Sequence, residues 1–194
     1  MNNYVTGAVI RRLREARRLT QEELAARIHV SGKAVSKWET GQGFPDVSLL
    51  EPLAGALGIS VIELLNGESI QNRNRSANVL KSRFYVCPVC GNVIRTLGEA
   101  IVSCCGVTLP PLEPEDAEED HELRVEPVED ELYVRVSHPM TREHHITFLA
   151  AVSDRELQFV KLYPQEEAAA RFRRNGSRYL YAYCSHHGLF RKKL

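Results

Sequence analysis

The spacing of apolar residues changes character along the chain. Residues 19–28 and 47–57 carry apolar side chains three, four and seven positions apart, which is the pattern of amphipathic helices. Residues 132–136, 146–148 and 179–183 instead alternate apolar or aromatic positions with mostly polar neighbours, as half-buried β-strands do. The pattern predicts an all-α N-terminal part followed by a β-rich part with several short strands, which is typical of a β-sandwich.

Short-range signals give the boundaries of some elements. Thr20 to Glu23 and Ser60 to Glu63 each have the sequence of a capping box at the start of a helix. Residues 128–131 and 153–156 are polar and lie where hairpin turns are expected. The proline-rich segment that starts at Pro110 is predicted to open an exposed acidic connector.

Four regions follow from these patterns. We expect a helical domain over residues 1–68, a polar linker over 69–83, a small cysteine-containing β module over 84–112 and a β-sandwich over 113–194. The linker is predicted because Asn72 to Ser76 is polar and buries too little apolar surface to fold alone. A helical extension of the next domain, around residues 77–81, is the alternative.

Composition adds the cellular setting. The chain is 43% hydrophobic and 26% charged, with no apolar run long enough to span a bilayer and no apolar signal-peptide core near its start. We therefore expect a cytoplasmic protein, whose five cysteines favour metal binding over disulfides. The formal net charge is zero, which argues against a nucleic-acid binder. However, basic residues cluster within residues 11–37 and acidic residues within 113–131.

Residues 19–41, with the sequence LTQEELAARIHVSGKAVSKWETG, resemble the lambda-repressor-like helix-turn-helix family. The resemblance extends through residues 57–60 and implies double-stranded DNA as a partner, read by family members as dimers on paired half-sites. It also implies that the second helix reaches base edges and phosphates. A helical bundle used for protein contacts is the alternative. The candidate DNA contacts are Gln21, which matches a phosphate anchor in the family, and Ser31, Gly32, Lys33, Ser36 and Lys37.

Cys87, Cys90, Cys104 and Cys105 form two close pairs. Two such pairs can complete a tetrahedral site with four sulfur ligands. Ordinary zinc ribbons separate both pairs by two residues, whereas the adjacent second pair resembles the desulforedoxin module, which holds one iron. Because thiolates accept both metals readily, a structural zinc site with the same four ligands remains the alternative.

Five of the seven histidines lie from His138 onward, in the motifs SHPMTREHHI (residues 137–146) and YCSHHGLF (residues 183–190). Both motifs resemble the iron centre of desulfoferrodoxin, the two-iron superoxide reductase. The resemblance covers residue 84 to the C-terminus and implies non-haem iron at two mononuclear sites. It assigns four histidines around the iron and an axial thiolate, and adds Glu119 as a further catalytic residue. The implied ligands are His121, His138, His144, His187 and Cys184, whereas His29, His145 and His186 fall outside the pattern.

Two positions depart from that family. A lysine that attracts the superoxide anion commonly precedes the first histidine ligand, and Asp120 stands there, after Glu119. Reversal of one charge near a site can change association rates by about ten- to a thousand-fold. Phe190 occupies a position where the family often has tryptophan, a change we expect to be mild.

Three functions are compatible with these motifs. The one favoured is a DNA-binding transcription regulator whose iron module reacts with or senses superoxide or redox state. The first alternative is a superoxide reductase, an oxidoreductase that forms hydrogen peroxide with electrons from a small redox protein and carries a DNA-binding domain. The second is a regulator with structural zinc only. The ligand set favours enzymatic turnover of the superoxide reductase type. Both resemblances imply a homodimer.

Overall fold

The computed structural model describes residues 3–67 and 72–194, which belong to two compact units, residues 1–71 and 72–194. The first unit is helical and the second is built from β-strands, so the predicted fold class is confirmed. Among the described residues, no helix combines the length and the apolar character needed to cross a bilayer. The helices are α1 (Asn3–Ala16), α2 (Gln21–Arg27), α3 (Gly32–Glu39), α4 (Val47–Leu57) and α5 (Val61–Asn66).

Side-chain caps fix the starts of these short helices. Both predicted capping boxes are present: the side chain of Thr20 accepts from the N–H of Glu23, and that of Ser60 from the N–H of Glu63. Such a cap stabilises a helix by about 1 kcal/mol, which matters because helices this short are marginal alone. One apolar cluster then packs the helices together, with Leu24, Val35, Leu53 and Leu57 fully buried.

The second unit contains two short hairpins and two larger sheets. One large sheet has the order β10-β7-β6, and the other has the order β5-β12-β11-β8-β9. All pairings are antiparallel except that of β5 with β12. The strands are β1 (Ser82–Val86), β2 (Val93–Leu97), β3 (Val102–Cys104), β4 (Val107–Leu109), β5 (Glu115–Asp116), β6 (Leu123–Val128), β7 (Glu131–Val136), β8 (Ile146–Ser153), β9 (Leu157–Lys161), β10 (Ala169–Arg173), β11 (Ser177–Cys184) and β12 (Gly188–Lys193).

The five-stranded sheet is covered on both faces. Leu149 and Leu180 face a core shared with Val134 and Phe172 of the three-stranded sheet, which makes the pair of sheets a sandwich. On the opposite face, Phe148 packs against other aromatic and apolar residues, including Phe84 of β1. Every residue of β8 is therefore buried. The alternation predicted for residues 146–148 was wrong: Thr147 is buried as well, and the irregular pairing at this residue places Ile146 and Phe148 on opposite faces of the sheet.

The predicted polar linker is partly ordered. Residues 79–81 form a short 3-10 turn, and β1 begins at Ser82. Val79 and Leu80 pack against the same apolar cluster as Phe84. Residues 72–83 thus belong structurally to the second unit, and the 3-10 turn occupies the place where a helical extension was the alternative. The predicted hairpin turns between β6 and β7 and between β8 and β9 are both present.

Candidate metal centres and nucleic-acid interface

Two hairpins bring the four cysteines together. Cys87 directly follows β1, and its N–H donates to the carbonyl of Asn92 (2.9 Å) while its own carbonyl accepts from the N–H of Gly91 (2.9 Å). This loop presents Cys87 and Cys90 to Cys104, which ends β3, and to Cys105, which has a left-handed φ of 51°. The four sulfurs lie within 4.8 Å of one another. We call these residues the four-cysteine site.

The sulfurs of this site are crowded and partly exposed. The Sγ atoms of Cys90 and Cys104 lie 3.6 Å apart, and those of Cys104 and Cys105 lie 3.9 Å apart. Interaction with Cys90 raises the pKa of Cys105 to about 12, whereas the backbone N–H of Cys90 lowers the pKa of Cys87 to about 7. A soft cation can bind all four cysteines as thiolates and so stabilises the close approach of their sulfurs. The donor set therefore fits a tetrahedral metal, zinc or iron alike.

A second cluster gathers donors from five separate places. His121 ends a short 3-10 turn before β6, His138 follows β7, His144 precedes β8, Cys184 ends β11 and His187 lies in the turn before β12. One nitrogen from each imidazole and the sulfur of Cys184 lie within 4.8 Å of one another. We call these residues the histidine–cysteine site.

Several donor atoms of this site lie within hydrogen-bond distance of one another. Nε2 of His138 and Nδ1 of His187 lie 3.5 Å and 3.6 Å from the sulfur of Cys184. The latter nitrogen is 3.2 Å from Nε2 of His121. Among the described residues, Nε2 of His144 is buried and has no hydrogen-bond partner. A buried polar atom normally has a partner, so this nitrogen and its converging neighbours fit a bound metal cation.

Neighbouring groups hold these donors in orientation. The backbone N–H of His186 donates to the sulfur of Cys184 (3.4 Å), and Nδ1 of His138 lies 2.6 Å from the carbonyl of Pro139. The His121 ring stacks on Phe190, with ring centroids 4.0 Å apart. Contacts of this kind fix which ring nitrogen is free to bind a metal.

Ser185 joins the two loops that carry His144 and Cys184, and nothing in the sequence motifs marked it. Its N–H donates to the carbonyl of His145 (2.9 Å), and its Oγ accepts from the N–H of His145 (3.1 Å). The same Oγ also donates to the carbonyl of Glu143 (3.2 Å). We call this set of three contacts the Ser185 bridge.

A β-bulge in β8 lies directly beside Cys184. Tyr183 pairs with Phe148 and Cys184 with Ile146, which leaves Thr147 as the extra residue. The Thr147 carbonyl accepts from the N–H of Leu162 (2.9 Å) and from Nζ of Lys161 (3.1 Å). Bulges change the direction of neighbouring side chains and are common beside functional sites. This bulge therefore affects how the start of β8, just after His144 and His145, is oriented toward Cys184.

Burial keeps several imidazoles neutral. Desolvation is the largest cause that lowers the pKa of His121, His138 and His144, and neighbouring histidines lower it further. Neutral imidazole is the metal-binding form. Asp120 is exposed beside His121, and the Glu119 side chain lies outside the described part of the chain. Among the described residues, His29, His145 and His186 are not part of either cluster.

The candidate DNA contacts lie in and around α3. Lys33 and Lys37 are exposed and Ser36 is half-buried, while Val35 and Trp38 face the helical core. Ser31 caps α3 by accepting from the N–H of Ala34. At the next position, Gly32, a side chain would press on the Glu22 carboxylate.

Gln21 has a structural partner in the helical unit. Its amide donates to Oε2 of Glu39 (2.9 Å). The Glu39 side chain is almost wholly buried and also accepts two hydrogen bonds from Arg14. This network joins the start of α2 to the end of α3, so it holds the two helices in a fixed relation.

Family models match both units. A helix-turn-helix model matches residues 10–64 and a desulfoferrodoxin model matches residues 110–193. The chain is 37% identical over 81 residues to the HTH-type transcriptional activator BcrR of Enterococcus faecalis, covering 40% of this chain but only 39% of that relative. It is 32% identical over 115 residues to a desulfoferrodoxin homolog of Archaeoglobus fulgidus, covering 55% of this chain and 92% of that relative.

A solved structure supports the same fold for the β-rich part. The crystal structure of the superoxide reductase from Treponema pallidum superimposes with a TM-score of 0.52 at 21% identity, covering 58% of this chain and 98% of that one. At this identity the likeness concerns the fold.

Proposed function

The chain belongs to the desulfoferrodoxin family and begins with a helix-turn-helix domain, and from this premise we propose that it is a DNA-binding transcription regulator whose non-haem iron module reacts with superoxide and thereby senses redox state. The observation that carries the proposal is the convergence of four imidazoles and one thiolate at the end of the sandwich. An appended DNA-binding domain gives that reactivity a regulatory output.

Each donor has a definable role in this proposal. His121, His138 and His144, whose pKa burial lowers, would hold the metal together with His187 and Cys184. The N–H of His186 points at the Cys184 sulfur and would moderate how much charge the thiolate donates. When bound, ferrous iron supplies one electron, which with two protons converts superoxide to hydrogen peroxide.

Charge around the site favours sensing over rapid turnover. Asp120 is exposed next to His121, and a carboxylate repels an anionic oxidant. The same sign of charge therefore slows entry of superoxide instead of steering it inward. A slow reaction is sufficient for a regulator because one oxidation per molecule carries the signal.

Turnover as a superoxide reductase is the second candidate, and the full set of five donors favours it. In that case an electron donor such as a small redox protein would restore the ferrous state after each cycle. A third candidate is a regulator with structural zinc only, for which the four-cysteine donor set is equally suitable. All three candidates place a homodimer on DNA in the cytoplasm.

Rapid mixing with superoxide tests the proposal. The full chain would be purified without oxygen, loaded with ferrous iron and mixed with superoxide while the visible spectrum is recorded. We expect a thiolate-to-ferric absorption band to appear and peroxide to form. The variant Cys184→Ala should lose this reaction and still bind DNA, whereas an unchanged reaction in that variant would contradict the proposed iron site.

Binding to DNA needs its own test. A duplex selected by the full chain from a random pool would be titrated with wild type and with the double variant Lys33→Ala/Lys37→Ala. Each lost phosphate contact should weaken binding and lower the salt dependence of the affinity by about one unit of slope. Failure to select any duplex would leave the superoxide chemistry without a regulatory role.

A further inference from the structure

Three asparagines hold the start of the second unit against the β1–β2 hairpin. Nδ2 of Asn72 donates to the carbonyl of Leu97 (2.8 Å), and Oδ1 of Asn72 accepts from the N–H of Asn74 (2.9 Å). Asn74 and Asn78 then bond each other twice, through the N–H of Asn78 (2.9 Å) and through Nδ2 of Asn74 (3.0 Å). We call Asn72, Asn74 and Asn78 the asparagine clasp.

The clasp fits closely against the end of β2. Gly98 has a φ of 96°, and a Cβ there would overlap Oδ1 of Asn72. The Gly98 N–H donates to the carbonyl of Lys81 (3.0 Å), which closes the segment onto the hairpin. Asn78 also accepts from the N–H of Leu80 and so starts the 3-10 turn. Gly98 thus leaves the space that the Asn72 side chain occupies, so this contact requires glycine at residue 98.

The hairpin connects this clasp to the four-cysteine site. Its register runs without interruption from Ser82 opposite Leu97 to Val86 opposite Val93. The loop that presents Cys87 and Cys90 follows at one end, and the clasp lies at the other. The hairpin is therefore a single element with a metal site at one end and the connection to the helical unit at the other.

Near the cysteines, the hairpins have only a small core of their own, in addition to the contact of Phe84 with the sandwich. Their own core contains only Tyr85, Cys87, Val102 and Leu109 among the described buried residues. A core this small depends on a metal or on neighbouring elements for its stability. Four sulfurs that lie within 4.8 Å of one another give a metal a direct means of tying the two hairpins together.

We propose that metal occupancy of the four-cysteine site controls the asparagine clasp, and that the clasp sets the length of chain between the DNA-binding unit and the sandwich. This inference rests on the proposed regulator. With metal bound, the clasp holds residues 72–78 on the hairpin, while Val79 and Leu80 pack against the sandwich. When the metal leaves, the hairpin loosens and the clasp opens.

The gain in reach is large on the scale of DNA. Seven freed residues can span up to about 25 Å, a large part of the about 34–36 Å between half-sites one helical turn apart. A longer connection lowers the effective concentration of the second DNA-binding domain once the first is bound. Loss of the metal therefore weakens binding to paired half-sites of fixed spacing.

Limited proteolysis of the full chain tests the clasp itself. Arg73 and Arg75 lie exposed within the segment and are trypsin sites only when the segment opens. We expect cleavage there to be at least about tenfold faster in the metal-free protein than in the zinc-loaded protein, because proteolysis follows local opening. Equal rates in the two forms would overturn the proposal.

Matched variants separate the two metal sites. Cys90→Ser removes one donor of the four-cysteine site and should give fast cleavage whether or not zinc is added. Cys184→Ser removes one donor of the other site and should keep the protection. The double variant Asn72→Ala/Asn74→Ala should be cleaved fast in both states, while Asn175→Ala, in an exposed loop, should behave as wild type. Protection that depends on Cys184 instead of Cys90 would overturn the assignment to the four-cysteine site.

DNA affinity completes the test. With the selected duplex, zinc should raise the affinity of wild type by about three- to tenfold, because a shorter connection raises the effective concentration of the second DNA-binding domain. The clasp variant should bind zinc normally and show no such change. If zinc still raises its affinity, the clasp is not the link. If wild type selects no duplex although trypsin protection follows zinc, the proposed regulator fails and the metal-dependent clasp stands.

Discussion

The two metal sites of the second unit are built in opposite ways. The four-cysteine site lies on two short hairpins with a core of four buried residues and has two exposed cysteines. The histidine–cysteine site lies at the end of a sandwich whose core has fifteen buried residues, and its sulfur is fully buried. The four-cysteine site therefore depends on a bound metal for its local structure, whereas the histidine–cysteine site is positioned by the large core of the sandwich.

The two sites differ in how much a bound metal contributes to the stability of the surrounding structure. At the four-cysteine site, binding free energy becomes folding free energy because the ligands have little reason to converge otherwise. At the histidine–cysteine site, the Ser185 bridge and the Thr147 bulge already place the donors. Structural response to a metal should therefore be concentrated in the hairpins, and chemical reactivity at the end of the sandwich.

The largest expected effect is on hydrogen exchange after metal removal. Amides of β1 to β4 should lose protection by at least about 100-fold, whereas those of β8 and β11 should keep theirs, because only the former depend on metal for their core. Exchange measured by mass spectrometry on apo and zinc-loaded full chain checks this. Uniform loss across both regions would show that the sandwich is not independently stable.

Removal of the buried sulfur should come next in size. Cys184→Ala should lower iron affinity at the histidine–cysteine site by more than the roughly 10- to 100-fold caused by loss of an outer contact. The four-cysteine site in the same molecule should bind normally and serves as the internal control. Anaerobic titration with ferrous iron measures both sites, and equal weakening at both would indicate unfolding instead.

The Ser185 bridge should have a smaller effect that is specific to orientation. Ser185→Ala removes the hydroxyl contacts with His145 and Glu143 and should weaken metal binding by about 10- to 100-fold. Ser185→Thr keeps the hydroxyl and should restore most of the affinity. A shift of the ferric–thiolate band in the alanine variant alone would separate a positioning role from a general loss of stability.

The smallest expected effect is on the pH dependence of the apo protein. Burial lowers the pKa of His121 and His138 below the value of about 6.5 in an unfolded chain. Below that pH the unfolded chain binds more protons than the folded one, so stability decreases as the pH falls through this window. Urea unfolding at about pH 7.5 and about pH 5.5 should show a lower midpoint in acid.

Zinc is the control for this pH effect. Metal at the histidine–cysteine site would hold the imidazoles neutral, so the loss of stability should begin at lower pH in the zinc-loaded protein. A midpoint that rises on acidification of the apo protein would contradict the assignment.

Local signals predicted much of this molecule, and the reasons are physical. The capping boxes at Thr20 and Ser60 depend only on residues three positions apart, so the sequence contains the whole interaction. The same is true of the hairpin turns. The two motifs identified His138, His144, Cys184 and His187, and the family resemblance added His121. The structure brings these five residues together, although the sequence could not give their distances.

Contacts between distant segments were harder to predict. The sequence ITFLAAVS of β8 is almost continuously apolar, which is typical of a strand buried on both faces. That signal was available, but the partner on the second face, Phe84, comes from another part of the chain. The Ser185 bridge and the contact of Asn72 with Leu97 also join residues far apart in sequence. A short polar side chain carries no periodicity that would mark it.

Because the cysteine-containing hairpins cover one face of β8, their deletion would leave an apolar surface on the sandwich. A truncated protein that starts at residue 113 would expose Phe148, Val152 and Tyr181 to water as one apolar patch. Such a patch favours self-association of an otherwise folded sandwich. A soluble one-site version would need polar side chains at these three positions. The hairpins thus shield this face of the sheet from water, and transfer of the sandwich alone to another protein requires a compensating change of its surface.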